Sequence, residues 1–512
     1  MPARERGPFL DIFFAAPPNG GAESAVDEPL LAEIDAFAAR LRSGAYLEGW
    51  GWDDDLHEER AFGDESWAGE MDALLGGAAD CFVAGDLELA REAYGRLLSL
   101  LADEEEGFCG PTTPEEMLET DVAEAKARYL RALYETVPLD ERAERLAGDV
   151  SRLAWVGGNV TLRQIADTRR PAFPDLEAFL PRWIEWTGGD ERLGVELLVE
   201  AVELGGGSDG LAALARERGV RQPEIFAAWC DALAREERLA DAAAACRQAL
   251  AALDPQGETR AAIGERLAGV AERQGDGRTI LEGRRAAWRA SPSRDRLLAM
   301  HEAAAALDLV PEVIAAEADA LEQGVTAASP RLTCELLLLD GRVRSAIALL
   351  EAAPPLGWSG RSHPGPVVVP YLLAVACGGV PGLNSPLLAE QFAAIGGASD
   401  ESEHGLGRLL AERLASRPSG SGDRQRWLTA ARSVVEHRTA AVVEAKHRRA
   451  YGRAASLVAA CAEALALVSG VPEGSAFVAA IRARYPRHYA FRDELDRATR
   501  RSPLLPSPPR RK

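Results

Sequence analysis

The segment Leu47–Trp67, LEGWGWDDDLHEERAFGDESW, combines three tryptophans with eight carboxylates, and these residue types are suited to binding a basic partner. Indole rings anchor interfaces through the apolar area they bury, and carboxylates speed the approach of cationic side chains. The predicted partner-binding residues are Trp50, Trp52, Asp53, Asp54, Asp55 and Trp67. A second interpretation stays open, in which the segment caps the first helices and its acids face water or favour the next helix N-terminus.

The glycine-rich segment GGGSDG at Gly205–Gly210 has the spacing of a pyrophosphate-binding loop. Such a loop must follow a β-strand and open a helix. The preceding residues, RLGVELLVEAVEL, instead repeat their apolar side chains with helical spacing. We therefore predict a helix end and a turn here, and no phosphate site.

Other patterns typical of catalysis or metal binding are missing from the sequence. The seven histidines are scattered, the seven cysteines form no CxxC or CxC pair, and the phosphate-loop spelling GxxxxGK[ST] does not occur. We expect no catalytic residue, metal, cofactor or disulfide. His363, between glycine and proline, is expected to serve a turn. An enzyme whose site uses carboxylates outside any motif stays an alternative, because the chain has 80 acidic residues.

Composition and charge favour a helical protein that does not bind nucleic acid generally. Hydrophobic residues make up 47% of the 512, mostly alanine and leucine, which favour helix. The net charge of −22 would repel a nucleic-acid backbone. The charge is uneven, however, because residues 423–512 carry 18 basic and 8 acidic side chains. A nucleic-acid-associated factor that uses this basic C-terminal region is therefore the main alternative function.

Two distant stretches, Ala78–Leu98 and Arg331–Trp358, repeat one pattern. In each, a glycine between two apolar-periodic runs is followed five residues later by alanine, as Gly85 by Ala90 and Gly341 by Ala346. A third copy follows Phe226, with Glu237 in the glycine position and Ala242 after it. The small alanines would let two helices cross closely. Cys230 and Cys334, which occupy equivalent positions, are expected to be small buried side chains.

These offsets resemble the tetratricopeptide repeat, whose period is about 34 residues. The resemblance implies an all-α fold, an α-α superhelix or TPR-like solenoid with a C-terminal helical segment. Further segments are similar to the helical region that follows the zinc finger in bacterial SWIM-type zinc finger proteins, although the CxC and CxH pairs of the finger are absent here. The segments that carry this second resemblance are GWGWDDD at Gly49–Asp55, RRAAWRASPS at Arg284–Ser293, APPLGWSGRSHPGP at Ala353–Pro366 and ARYPRHYAFRDELD at Ala483–Asp496.

The organisation predicted along the chain has six parts. Proline and glycine around 354–370 should interrupt the helices, and SRPSGSGDR should form a link. The parts are an N-terminal extension at 1–30, a TPR-like helical array at 31–360, an irregular Pro/Gly loop with continuing helices at 361–415, a flexible link at 416–424, a basic helical segment at 425–500 and a disordered tail at 501–512.

The function predicted from these observations is a non-enzymatic scaffold or adaptor in a bacterial multi-protein system, presenting a helical-repeat surface to one or more proteins. We expect a cytoplasmic location with no membrane segment. The opening residues are too briefly apolar for a signal peptide, and the apolar window Val367–Val380 is too short to cross a bilayer.

Overall fold

Apolar residues that recur every three or four positions form helices along most of the chain. The computed structural model describes residues 29–53, 57–103, 107–189, 194–380, 382–396, 405–416 and 420–506. Within them lie 23 α-helices and one two-stranded sheet. The chain forms two compact units, Met1–Gly210 and Leu211–Lys512. The predicted all-α class is confirmed, with a β-hairpin at residues 47–63 that the sequence reasoning did not predict.

The first unit contains the hairpin, seven complete helices and the start of an eighth. Its core draws side chains from all of these helices, from Ile34 in the first to Ala201 in the eighth. The elements are α1 Pro29–Arg42, β1 Leu47–Asp53, β2 Glu58–Gly63, α2 Trp67–Ala84, α3 Leu87–Ala102, α4 Val122–Thr136, α5 Leu139–Arg152, α6 Leu162–Asp167, α7 Leu176–Gly189 and α8 Val195–Arg218.

The second unit begins within α8 and continues with fifteen further helices among its described residues. Consecutive helices pack on one another along α9 to α16, and α21 packs against α18, α20, α22 and α23. The helices are α9 Glu224–Arg235, α10 Leu239–Ala252, α11 Glu258–Gln274, α12 Gly277–Ala290, α13 Arg294–Ala305, α14 Val310–Glu322, α15 Pro330–Asp340, α16 Val343–Ala352, α17 Gly365–Cys377, α18 Pro386–Ala393, α19 Leu406–Ser416, α20 Ser421–Glu444, α21 Tyr451–Ser469, α22 Val471–Arg484 and α23 Tyr489–Thr499.

Five helix pairs turn through one backbone geometry, in which a residue one to three positions after the first helix has a φ between 55° and 90°. These residues are Gly85, Glu237, Gly275, Asp308 and Gly341. In each turn the following N–H donates to the carbonyl five residues earlier, at 2.8–3.0 Å, as in a Schellman motif. The four turns of the second unit follow one another after 38, 33 and 33 residues. The predicted helical repeat is therefore confirmed, with two copies, at Gly275 and Asp308, that the sequence comparison missed.

Small residues let the paired helices approach closely, as predicted. Ala90, Ala242 and Ala346 are fully buried, each on the second helix of its pair. One close crossing joins α11 and α12, where a Cβ added to Gly264 would lie 2.8 Å from the carbonyl oxygen of Gly283. Cys230 and Cys334 are buried on the first helices of their pairs, α9 and α15, which confirms their prediction as packing residues.

Two predicted breaks differ in detail from the structure. The segment GGGSDG lies at a kink within α8, where two helices meet at Gly207, whose φ is 57° and ψ −151°. One helix therefore ends in this segment, as predicted, but the next begins directly after Gly207 without a longer turn, because glycine tolerates this conformation. The link predicted at 416–424 is shorter, because α20 already begins at Ser421. Residues 417–419 within it, 1–28 of the predicted extension and 507–512 of the predicted tail lie outside the described residues.

The predicted Pro/Gly interruption is irregular only as far as Pro364. The helices are interrupted here, as predicted, but over a shorter stretch, because α17 begins at Gly365 and includes Pro370. The loop before it is ordered by His363, whose Nδ1 accepts the Gly365 N–H at 2.9 Å and whose Nε2 lies 2.7 Å from the Pro354 carbonyl oxygen. Because Nδ1 accepts, Nε2 is the nitrogen that donates. His363 thus serves a turn, as expected.

One helical stretch among the described residues, Arg448–Ser469, is long and apolar enough to cross a membrane by length and composition. The sequence reasoning did not single it out. In its most apolar window 67% is buried inside the fold, because neighbouring helices pack around α21. A core helix buried within a folded domain can have the same length and apolar composition as a membrane-spanning helix.

Candidate functional site: a tryptophan groove in the first unit

The hairpin formed by β1 and β2 displays two tryptophans. The strands pair antiparallel, with Trp50 opposite Ala61 and Trp52 opposite Glu59. Because side chains alternate along a strand, the two indoles share one face of β1, and they remain 70% and 57% exposed. On the intervening residue Gly51, an added Cβ would contact the Phe62 ring at 3.5 Å. Glycine and tryptophan thus alternate, with apolar packing on one face and exposed indoles on the other.

Trp67 fixes the base of the hairpin and is not part of its exposed surface. It is fully buried at the start of α2, and its Nε1 donates to the carbonyl oxygen of Cys109 at 2.8 Å. The Phe108 ring packs edge-on against it, with the centroids 4.7 Å apart. The Cys109 thiol in turn lies 3.4 Å from the Tyr46 carbonyl oxygen just before β1. Trp67 therefore joins the hairpin to the segment after α3.

That segment and the hairpin form two walls of a groove of about 740 Å³. The hairpin contributes Trp50, and residues 108–116 contribute an aromatic ring, two prolines and two glutamates. A third wall comes from the end of α5, with Arg152 and Trp155. The Trp155 side chain is 91% exposed. The groove therefore brings together two exposed indoles that lie 105 residues apart in the chain.

A buried lysine holds the Trp155 loop in place. The Lys126 ammonium donates to the carbonyl oxygens of Leu153, Val156 and Gly158 at 2.6, 2.9 and 2.8 Å. Burial lowers the pKa of Lys126 to about 8, and the nearby Glu115 carboxylate opposes part of that effect. The same carboxylate accepts the N–H of Gly157 at 3.1 Å from both oxygens. Trp155 is therefore exposed on a loop that has fixed hydrogen bonds on both sides.

The groove has a strongly negative border. Among their described residues, the segments 47–67 and 102–121 contain eleven acidic residues and one basic one, Arg60. Arg60 lies over the Phe62 ring at 4.4 Å, and Arg152, the other arginine of the lining, pairs with Asp149 at 2.7 Å. Both cations are thus already engaged, so the border has a potential that favours a cationic ligand.

The residues predicted from the sequence separate into three groups. Trp50 and Trp52 are exposed on the hairpin, and Trp67 is buried, so only the first two are available to a partner in this structure. Asp53 is placed by its backbone at the end of β1, whereas Asp54 and Asp55 lie outside the described residues.

The sequence reasoning missed Trp155, Lys126 and Glu115. One sequence signal could have indicated that Trp155 lies in a loop. It follows the helical pattern of α5 and comes just before Val-Gly-Gly in the sequence LAWVGGN. No local pattern connects Lys126 with carbonyls some thirty residues later.

No family model matches the chain, and no curated protein sequence matches it. Among solved structures it is similar to the pentatricopeptide repeat protein PPR10 from maize, at 14% identity over 93% of this chain and 71% of that one, with a TM-score of 0.23. A chain of the Naa15/Naa10 complex bound to HypK-THB matches at 12% identity over 84% and 65%, with a TM-score of 0.20.

A circular tandem repeat protein with a novel repeat topology matches at 14% identity over 92% and 95%, with a TM-score of 0.17. These structures are helical-repeat proteins or contain one. Because all three TM-scores are low, our assignment of helical repeats depends on the five turns of this chain described above.

Proposed function

We propose that this chain is a non-enzymatic adaptor that captures an extended basic segment of another protein in the groove of its first unit. The observation that carries the proposal is the presence of two highly exposed indoles, Trp50 and Trp155, on fixed walls of one groove. Large exposed apolar side chains cost solubility and are concentrated where partners bind. Fixed walls reduce the conformational entropy that binding must overcome.

Charge identifies the kind of partner. The border of the groove combines many carboxylates with indole faces, and arginine suits both, because guanidinium groups pair with carboxylates and stack on aromatic rings. An arginine-containing peptide in an extended conformation can present alternate side chains to the two tryptophans. The acids would mainly raise the association rate, and the indoles would supply most of the affinity.

The test uses two labelled peptides of ten residues, one alternating arginine with proline and leucine, and one with glutamate in place of arginine. We expect the basic peptide to bind the full chain and the acidic one not to bind, as measured by fluorescence anisotropy. Raising the salt concentration should weaken binding. The changes Trp50→Ala and Trp155→Ala should each weaken it about thirtyfold, the size of an interface hot spot.

The matched control is Trp186→Ala, because Trp186 is 42% exposed in the same unit but does not line the groove. The affinity of the Trp186→Ala variant for the basic peptide should equal that of the unchanged protein. Equal binding of both peptides, or equal losses in all three variants, would refute the groove as the binding site. Quantitative affinity purification with the same three variants would then identify the cellular partner, which should be lost only with the groove variants.

The setting in which the adaptor works is also proposed. The resemblance to the helical arm of SWIM-type proteins is the reason to place the adaptor in a bacterial, cytoplasmic, multi-protein system. The nucleic-acid alternative is less favoured, because five arginines of the basic C-terminal region form ion pairs within the fold. These pairs are Arg432–Glu436, Arg482–Asp496, Arg484–Glu444, Arg497–Glu494 and Arg501–Glu390.

A further inference from the structure

A second cavity, of about 530 Å³, lies in the second unit among α12, the start of α11 and the turn after α14. Four arginines line it together with one carboxylate, Glu282. That carboxylate already binds Arg247, whose Nη2 lies 2.7 Å from it. In a chain with a net charge of −22, this is a local excess of positive charge. The four arginines are Arg260, Arg278, Arg285 and Arg289.

Two of these arginines are fixed by one buried carboxylate. Glu317 is fully buried, and it accepts from Nε and Nη2 of Arg285 at 2.9 and 2.7 Å. It accepts from Nε and Nη2 of Arg289 at 2.7 Å each. Each guanidinium thus uses one edge to hold Glu317, and its Nη1 has no partner among the described residues. The side chains remain 32% and 44% exposed at the cavity.

The other two arginines differ in how they are held. Arg260 donates through Nη1 to the carbonyl oxygens of Leu250 and Leu253, the latter at 3.0 Å, at the end of α10. Arg278 is exposed on the first turn of α12 and has no ion pair among the described residues. The cavity therefore has three arginines anchored by the fold and one that is free to close on a ligand.

A buried hydroxyl supplies an independent sign of a ligand. Thr326 lines the same cavity and is only 2% exposed, and its Oγ1 has no hydrogen-bond partner in the part of the chain that the structure describes. A buried hydroxyl without a partner destabilises a fold, because it has lost its hydrogen bonds to water, and such groups are rare in folded proteins. A ligand oxygen that accepts from Thr326 would remove this cost.

We propose that this cavity binds a phosphate monoester. A dianionic phosphate offers three acceptor oxygens, which match the outward guanidinium groups of Arg285 and Arg289 and the Thr326 hydroxyl. The organic part of the ester would lie against the apolar wall formed by Pro255, Leu281 and Val325. A free phosphorylated metabolite and a phosphorylated side chain present the same head group.

Isothermal titration of the full chain with phenyl phosphate, at constant ionic strength, tests the proposal. We expect one equivalent of phenyl phosphate to bind saturably, and chloride should not compete with it. Arg278→Gln should weaken it about tenfold, the value of one charge-assisted contact. Thr326→Val should weaken it about threefold without lowering the melting temperature, because the change removes a hydroxyl that has no partner in the fold. A phosphoserine peptide and free glycerol phosphate then distinguish the two sources.

The control is Arg344→Gln, an exposed arginine of α16 outside the cavity, which should change the affinity less than twofold. A twelve-nucleotide RNA serves as the competing ligand. The proposal is overturned if phenyl phosphate does not bind, if Arg278→Gln and Thr326→Val bind it like the unchanged protein, or if RNA binds more tightly and is insensitive to Thr326→Val. The last result would indicate a general electrostatic patch.

Discussion

The tryptophan groove of the first unit and the arginine cavity of the second have opposite charges and opposite anchors. In the groove, a buried cation, Lys126, holds backbone carbonyls so that an exposed aromatic side chain, Trp155, stays in place. In the cavity, a buried anion, Glu317, holds two arginines that still reach the surface. In both regions a buried charge fixes a surface group.

The Lys126 anchor should also respond to pH, because burial lowers its pKa to about 8. A buried lysine can therefore lose its proton in mildly basic solution. The following experiments separate the two regions through their anchors.

The largest effect is expected for the buried tryptophan of the groove. Trp67→Ala should lower the free energy of unfolding by about 3–5 kcal/mol, because it leaves a cavity and removes the bond to Cys109. Trp50→Ala should cost less than about 0.5 kcal/mol, because its indole is mostly in water. Urea denaturation measures both. Similar costs for the two changes would indicate that the hairpin is a structural cap and that its exposed tryptophans have no separate role.

The next effect concerns pH and the Lys126 anchor. Its folded pKa of about 8 lies below the unfolded value of about 10.4. Between these pH values the unfolded chain binds more protons, so the contribution of Lys126 to the free energy of unfolding rises with pH. Between pH 8 and 10.5 we expect the free energy of unfolding of the unchanged protein to rise by up to roughly 3 kcal/mol relative to that of Lys126→Met. A constant difference over this range would refute the lowered pKa.

A smaller effect is expected at the anchor of the arginine cavity. Glu317→Gln removes the shared counter-charge of Arg285 and Arg289, and we expect it to cost about 2 kcal/mol, less than for a fully buried pair because both arginines are partly hydrated. Glu282→Gln is the control, since its ion pair with Arg247 is exposed and should be worth less than about 1 kcal/mol. Chemical denaturation at neutral pH compares them. Equal costs would show that the buried carboxylate has no special role.

The smallest effect compares the same turn in both units. Gly85 and Glu237 both have positive φ, which costs a non-glycine residue about 1–2 kcal/mol. Gly85→Ala should therefore destabilise the protein by about 1 kcal/mol. Glu237→Gly removes that strain and should stabilise the protein by about 0.5 kcal/mol. The gain is smaller than the strain because glycine has a higher entropy in the unfolded chain and because the exposed ion pair with Arg273 is lost. Melting temperatures of the variants measure both effects. Glu236→Gly is the control and should destabilise the protein, because Glu236 has an ordinary φ of −75°.

Local sequence determined the helices and the repeated turns. Apolar spacing of three and four, the glycines at Gly85 and Gly341, and the small residues that follow them act within one or two helical turns, so they can be recognised in the chain alone. The same reasoning found the tryptophan-rich segment at Leu47–Trp67. It missed the hairpin there, because glycine alternating with tryptophan lacks the β-branched residues typical of strands.

The tertiary structure decided which tryptophan is exposed and what surrounds it. Trp50 and Trp67 belong to one sequence segment, yet only contacts with Cys109 and Phe108 bury the second. The sharing of Glu317 between Arg285 and Arg289 also depends on packing between α12 and α14. Burial and ion pairing between distant residues depend on the three-dimensional arrangement of helices, and short-range periodicity in the sequence does not determine that arrangement.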